Sequence, residues 1–277
     1  MASLLNEAPP ASVLVVAAHP DDIEYMAGGT LAHWIAQGTT VHYLLVTDGC
    51  GGSRDPQQTP EELASIRRAE QCCAASILGV ESVTFLGLPD ATLEPTYELR
   101  LQIARVIRRV RPAAVLTFDP HTHYRADGIN HPDHVAVGVS TLGAVMPLAN
   151  TLLAAPALAE EGLAPHDVAA VYLFEASAPT HWMPLSSDVL ARKLAALRAH
   201  ASQLALWDGE SCARARATNT AAQGRAHGMR CRFAESFTRI LLSAPAAREL
   251  PRRQVPTRTR WPSLGGALAG LLLGARG

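Results

Sequence analysis

Two short runs concentrate the residue types that bind metals and move protons: His19-Pro20-Asp21-Asp22 and His131-Pro132-Asp133-His134. His19, Asp22 and His134 together offer two imidazoles and one carboxylate. Catalytic zinc sites use three protein ligands and leave the fourth position to water. Zinc lowers the pKa of such a water to about 7, so Asp21 beside the ligands is a competent acceptor for its proton and can return it to a leaving amine. His131 and His134 lie three apart and share a face on a helix, so one can bind metal while the other faces the same pocket. His131 as an imidazolium would stabilise a tetrahedral oxyanion, and Asp133 would hold a histidine from behind. Taken alone, HPDH also reads as a plain helix start, with His131 or Asn130 as cap and Asp133 favouring the dipole. Two such runs on one rim favour a site.

The elements that must position these residues follow from periodicity. Val13–Val16 is an apolar β-branched run that reads as a buried parallel strand, and Pro20 suits a strand that has just ended. The first run therefore sits at a strand's carboxyl end, where open α/β sheets bind ligands. Ile23–Gln37 has helical spacing, with Gly28-Gly29 marking close packing or a backbone turn. Thr40–Thr47 is a second strand, and the loop after it places Asp48 on the same rim, as a substrate contact or as a loop cap. Thr59-Pro60-Glu61-Glu62 has the chemistry of a helix start, and that helix stops at Gly79. Ser82–Leu86 is a third strand; Pro89-Asp90 opens a loop. A helix over Glu98–Val110 and a strand over Ala113–Phe118 follow. The polar loop Asp119–Asn130 leads to a helix over His131–Asn150. Ala169–Phe174 is a further strand, and Ser186-Ser187-Asp188 caps a helix to about Ala201. Residues 202–230 show no clear period, and Phe233–Leu242 reads as a final helix. Strands alternating with helices mean βαβ units and a mostly parallel sheet.

The chain has 277 residues, 48% of them hydrophobic, and a formal net charge of -1. That suits one large domain and argues against a nucleic-acid binder. Residues 1–11 read as a flexible lead-in, 12–242 as the functional domain, and 243–277 as a basic tail containing Pro and Gly, disordered or loosely docked. The tail's apolar stretch, Leu264–Ala275, is too short for a bilayer span, which needs about 20 residues. No signal peptide pattern precedes the first strand, so the expected location is cytoplasmic. The five cysteines form no CxxC motif and read as buried, reduced thiols.

AHPDDIE (Ala18–Glu24) followed by GGT (Gly28–Thr30), together with HPDH (131–134), closely resembles the LmbE-like, or PIG-L, de-N-acetylases. VTDG (46–49), IRRAE (66–70), LGVESVTFLGLPD (78–90), KLAALRAHASQ (193–203) and AESF (234–237) agree with it, so the resemblance covers roughly residues 12–240. It implies a Rossmann-like three-layer α/β fold with a mostly parallel central sheet. It also implies zinc-dependent hydrolysis of an N-acetyl group from an N-acetylglucosamine-type amino sugar. By motif, His19, Asp22 and His134 take the zinc-ligand places, Asp21 the general base and His131 the oxyanion side. Arg67 matches a family arginine that contacts substrate. One position departs: some members carry Tyr two residues before the first His of HPDH, where this chain has Ile129. Tyr124 in the same loop is the available substitute. His200, in the HASQ segment, either approaches the pocket or packs within a helix.

Three function classes are therefore in play. The first is a zinc amidase acting on a small amino-sugar substrate, with Fe(II) compatible with the same ligands and a homo-oligomer left open. The second is a non-haem Fe(II) facial-triad enzyme, disfavoured by the βαβ alternation. The third is a non-catalytic sugar-binding α/β protein, disfavoured by the retention of Asp21 and both histidines of HPDH.

Overall fold

The apolar runs become the inner strands of a single sheet. In the computed structural model, which describes residues 8–125 and 128–242, β1 (Ser12–Ala17) is buried at every position after Ser12, as a strand covered on both faces must be. It is followed by α1 (Asp22–Ala36), β2 (Thr40–Thr47), α2 (Pro60–Leu78), β3 (Ser82–Leu88), α3 (Tyr97–Val110) and β4 (Ala114–Phe118). A short hairpin, β5 (Tyr124–Arg125) and β6 (Gly128–Ile129), precedes α4 (Pro132–Gly143). Then come α5 (Pro156–Glu160), β7 (Ala170–Phe174), β8 (His181–Leu185), α6 (Ser187–Leu197), α7 (Ala201–Leu204), α8 (Gly209–Gly224) and β9 (Phe233–Leu241). The sheet has seven strands in the order β3-β2-β1-β4-β7-β9-β8. The first five are parallel, and β9 and β8 add antiparallel. Helices α1, α2 and α6 pack on one another, and α3 packs on α4. This is the mostly parallel, helix-flanked sheet expected. Among the described residues no helix is long and apolar enough to cross a membrane.

Local signals decide where helices begin. Thr59 and Glu62 form a reciprocal capping box: the Thr59 hydroxyl accepts from the Glu62 N–H, and the Glu62 carboxylate accepts from the Thr59 N–H. Gly79 closes the same helix at φ +88°, a conformation that favours glycine. Inside α1 a distant residue intrudes. The Glu235 carboxylate accepts from the N–H groups of Gly29 (2.9 Å) and Thr30 (2.7 Å), while Lys193 Nζ donates to Glu235 (2.6 Å) and to the Tyr25 carbonyl (2.7 Å). A Cβ on Gly29 would lie 2.6 Å from Leu185 Cδ1 and 3.1 Å from the Glu235 carboxylate. The segments GGT, KLAALRAHASQ and AESF thus meet at one buried ion pair.

Several expectations are corrected. Phe233–Leu242 is not a helix but β9, inserted between β7 and β8; its ladder partners lie 48 or more residues upstream, so pairing overrides a local pattern that is ambiguous at this length. The helix expected over His131–Asn150 stops at Gly143. A π-type turn over Ala144–Ala149 follows, and Met146 leaves helical geometry ahead of Pro147. Residues 202–230 contain α8, and the strand β8 went unread. None of the cysteines is fully buried: Cys72, Cys73 and Cys212 are exposed, Cys50 and Cys231 half-buried. In α2 the inward positions are Leu63, Arg67, Gln71, Ala74, Ala75 and Leu78, a spacing that turns Cys72 and Cys73 outward. Of the lead-in, residues 8–11 are described, and the Pro10 and Ala11 carbonyls bind the start of β2; residues 1–7 and the tail over 243–277 lie outside the described residues.

Candidate metal centre

The adjacent strands β1 and β4 send the chain to opposite sides, toward β2 and β3 on one and β7 on the other. Such a switch point opens a crevice at the strands' carboxyl ends. The β1–α1 turn delivers His19, Asp21 and Asp22 there, and the start of α4 delivers His131, Asp133 and His134.

The turn is held against its own strain. Asp21 has φ +103°, costly for a residue with a Cβ. Its N–H donates to Gln71 Oε1 (3.2 Å), and Arg67 Nη2 binds the Pro20 carbonyl (2.6 Å) and the Asp21 carboxylate (3.3 Å). Arg67 also donates to the Gly49 carbonyl (2.8 Å). A Cβ on Gly49 or Gly52 would lie 2.7 or 2.6 Å from its guanidinium, so both glycines make room for it. Arg67 is 4% exposed, and its Nε has no hydrogen-bond partner. At the other run, His131 caps α4: its Nδ1 accepts from the Asp133 N–H (3.2 Å). The helix-start reading and the site reading of HPDH therefore hold together.

His19, Asp22 and His134 bring one ligand atom each within 4.8 Å of one another. His19 Nδ1 lies 3.3 Å from Asp22 Oδ2, and His134 Nε2 lies 3.2 Å from Asp22 Oδ1. Each imidazole turns its other nitrogen to carboxylates. His19 Nε2 meets Asp90 at 3.0 Å and Asp133 at 3.5 Å; His134 Nδ1 meets Glu175 at 3.2 Å and the Asn130 side-chain oxygen at 3.0 Å. That is how histidine metal ligands are fixed in tautomer and orientation. Four carboxylates around two imidazoles also call for positive charge. Burial opposes charge on both rings, but the carboxylates outweigh it, raising His19 well above its ordinary pKa and His134 to about 9. Burial alone would raise Asp22 and Asp90, but the histidines reverse it, holding Asp22 well below the carboxylate range and Asp90 at about 2. A divalent cation satisfies the same demand, so the donor set fits a metal ion.

Asp21 responds differently. Burial, then the Asp22 charge, raise it to about 6 against the opposing pull of Arg67. Asp133 binds the backbone N–H groups of Ala91 and Leu93 besides facing His19. His131 lies with its ring centroid 4.6 Å from that of His19. Burial and the two neighbouring histidines lower its pKa, and its Nδ1 is already an acceptor. With Nδ1 accepting from the Asp133 N–H, Nε2 is the ring nitrogen left to face a ligand. A cleft of about 280 Å³ lies among His19, Asp21, Arg67, Asp90, His131 and Gln203.

Other expected residues stand apart. Asp48 caps its loop at the Cys50 N–H and lines a separate hollow with Arg68 and Phe85. Tyr124 and Ile129 face each other across the β5–β6 hairpin, 77% and 91% exposed, and line a neighbouring hollow. His200 is fully buried against Glu24 (3.2 Å); Gln203 of the same segment reaches the cleft instead. Asp90 and Glu175 went unread. Each follows a strand end on this rim, a positional signal that could have found them; Asp90 also closes the segment LGVESVTFLGLPD, whereas Glu175 lies in none of the family-like segments.

The PIG-L family, described as GlcNAc-PI de-N-acetylase, matches residues 14–145. Diacetylchitobiose deacetylase of Thermococcus kodakarensis is 38% identical over 197 residues, covering 69% of each chain. The structure of N,N'-diacetylchitobiose deacetylase from Pyrococcus horikoshii superposes with a TM-score of 0.76 at 27% identity, covering 86% of this chain and 88% of that one. GalB, the 4-carboxy-2-hydroxymuconate hydratase of Pseudomonas putida KT2440, superposes with a TM-score of 0.68 at 25% identity, covering 84% and 97%. Fold and rim define an α/β enzyme with a histidine–carboxylate centre at its switch point. The chain belongs to the PIG-L, or LmbE-like, family of de-N-acetylases, hydrolases of amide bonds.

Proposed function

We propose that this protein is a zinc-dependent de-N-acetylase of an N-acetylglucosamine-type conjugate, with residues 12–242 as its catalytic domain. The observation that carries the reading is the convergence of His19, Asp22 and His134, each imidazole backed by carboxylates, with Asp21 and His131 on the same cleft. His19, Asp22 and His134 would hold the ion, which when bound supplies Lewis-acid polarisation and a more acidic water. Asp21, at about 6, takes the proton of the attacking water and returns it to the nitrogen as the C–N bond breaks. The Nε2–H of His131 donates to the oxyanion that forms on the acyl carbonyl. Arg67 holds the Asp21 turn and lines the cleft, where its guanidinium charge faces the substrate. Five unpaired thiols fit a reducing, cytoplasmic location.

The test is amine release from a panel of N-acetylglucosamine conjugates by metal-stripped and zinc-reloaded protein. Zinc-dependent release is the expected result. No release, with hydration of an unsaturated hydroxymuconate-type tricarboxylate instead, would move the protein to the chemistry named for GalB and overturn the amidase reading.

A further inference from the structure

Glu175 occupies a place that its local structure resists. It follows β7 directly and has φ +63°, in the left-handed region where a residue with a Cβ is strained. It is also a carboxylate only 4% exposed, and buried charges persist where they are paired. Both costs are borne at a strand end beside the cleft, and both are explained by where the side chain goes. One oxygen, Oε2, lies 3.2 Å from His134 Nδ1, and the other accepts from the Arg125 guanidinium on the β5–β6 hairpin. With both oxygens engaged the carboxylate has one orientation. The His134 ring is further fixed from its face by Phe118, stacked at 3.9 Å and 16°.

We infer that Glu175 is a positioning residue for the metal centre: its carboxylate fixes the proton of His134 on Nδ1 and so commits Nε2, the nitrogen facing Asp22, to the metal. The inference rests on the proposal that His134 is a ligand. Asn130 is the rival, because its side-chain oxygen lies 3.0 Å from the same Nδ1. That oxygen also accepts from the His131 N–H at 2.9 Å and carries no charge to raise the basicity of the ring. Arg125 makes the arrangement continuous with the hairpin that borders the neighbouring hollow.

The test is the zinc dissociation constant of the full chain, measured by competition with a chromogenic chelator, for wild type, E175Q and E175D. E175Q keeps the shape and removes the charge; E175D keeps the charge and withdraws it by one methylene, and serves where E175Q does not fold. Removing or withdrawing the carboxylate behind a histidine ligand weakens metal binding by about 10–100-fold, and that is the expected result for both variants. The visible spectrum of the cobalt-substituted protein should change with them, whereas a purely structural Glu175 would lower the melting temperature equally with and without zinc and leave affinity and spectrum alone. Zinc affinity within about threefold of wild type in a folded variant would assign the role to Asn130 and overturn the inference. Absence of stoichiometric zinc binding by wild type would instead overturn the underlying metal reading.

Discussion

Lys193→Met isolates a buried charge at the junction of α1, α6 and β9. Lys193 is 1% exposed, with Nζ 2.6 Å from a Glu235 oxygen and 2.7 Å from the Tyr25 carbonyl. Glu235 is 5% exposed, and its other partners are the Gly29 and Thr30 N–H groups. Methionine retains most of the apolar stem, so the change is chiefly electrostatic. It leaves Glu235 with two backbone donors and no counter-charge, and the Tyr25 carbonyl without its lysine. Removing one partner of a buried pair costs about 3–5 kcal/mol. A domain of this size loses about 2–4 °C per kcal/mol, so the melting temperature should fall by about 6–20 °C. The assay is thermal unfolding of wild type, K193M, E235Q and the double variant. E235Q added to K193M should recover part of the loss, because it removes the stranded charge, with a coupling toward the upper end of about 0.5–3 kcal/mol. A K193M protein that melts within about 2 °C of wild type would refute the reasoning, as would strict additivity of the two single changes.

Asp21→Asn should keep stoichiometric zinc and lose about 10²–10⁴-fold in turnover; retained activity would remove Asp21 from the mechanism. In wild type, kcat/KM should fall as pH drops through about 6, where Asp21 takes up the proton that disables it as a base. His134→Ala should lose both zinc and activity, checked by metal content after dialysis; a full complement of zinc would show the ligand assignment to be wrong. At His200, burial opposes the charge, but the hydrogen bond and charge of Glu24 outweigh it and raise the pKa above its ordinary value. The folded state therefore holds this proton more tightly. Its stabilisation is complete below about pH 6.5 and is lost as pH rises through the raised value. The stability gap between wild type and H200Q should shrink over that range in urea titrations, and a pH-independent gap would count against it.

The parallel half of the fold was legible because its signals are local. Val13–Val16, Thr40–Thr47 and Ala113–Phe118 are apolar β-branched runs covered on both faces, and Thr59, Pro60, Glu62 and Gly79 carry cap chemistry that works within a few residues. The two HxDx runs were legible for the same reason: each is contiguous, and the alternation of strand and helix places both on one rim. Beyond residue 174 the reading weakened. Strand β9 exists only because β7 and β8 flank it, and a nine-residue segment with both aromatic and helix-compatible residues does not declare its pairing in advance.

By itself the sequence determined that His19, Asp21, Asp22, His131 and His134 would meet at strand ends, because strand ends and helix starts are set by neighbouring residues. Tertiary structure alone decided what stands behind them. Asp90 and Glu175 reach the histidines from the ends of other strands, 71 and 41 residues away in sequence. Arg67 turned inward to brace the Asp21 turn, Asp48 turned away to cap its own loop, and burial and two neighbouring histidines lowered the pKa of His131. These outcomes depend on distances across the sheet and on the charge that accumulates there, quantities that no local pattern encodes.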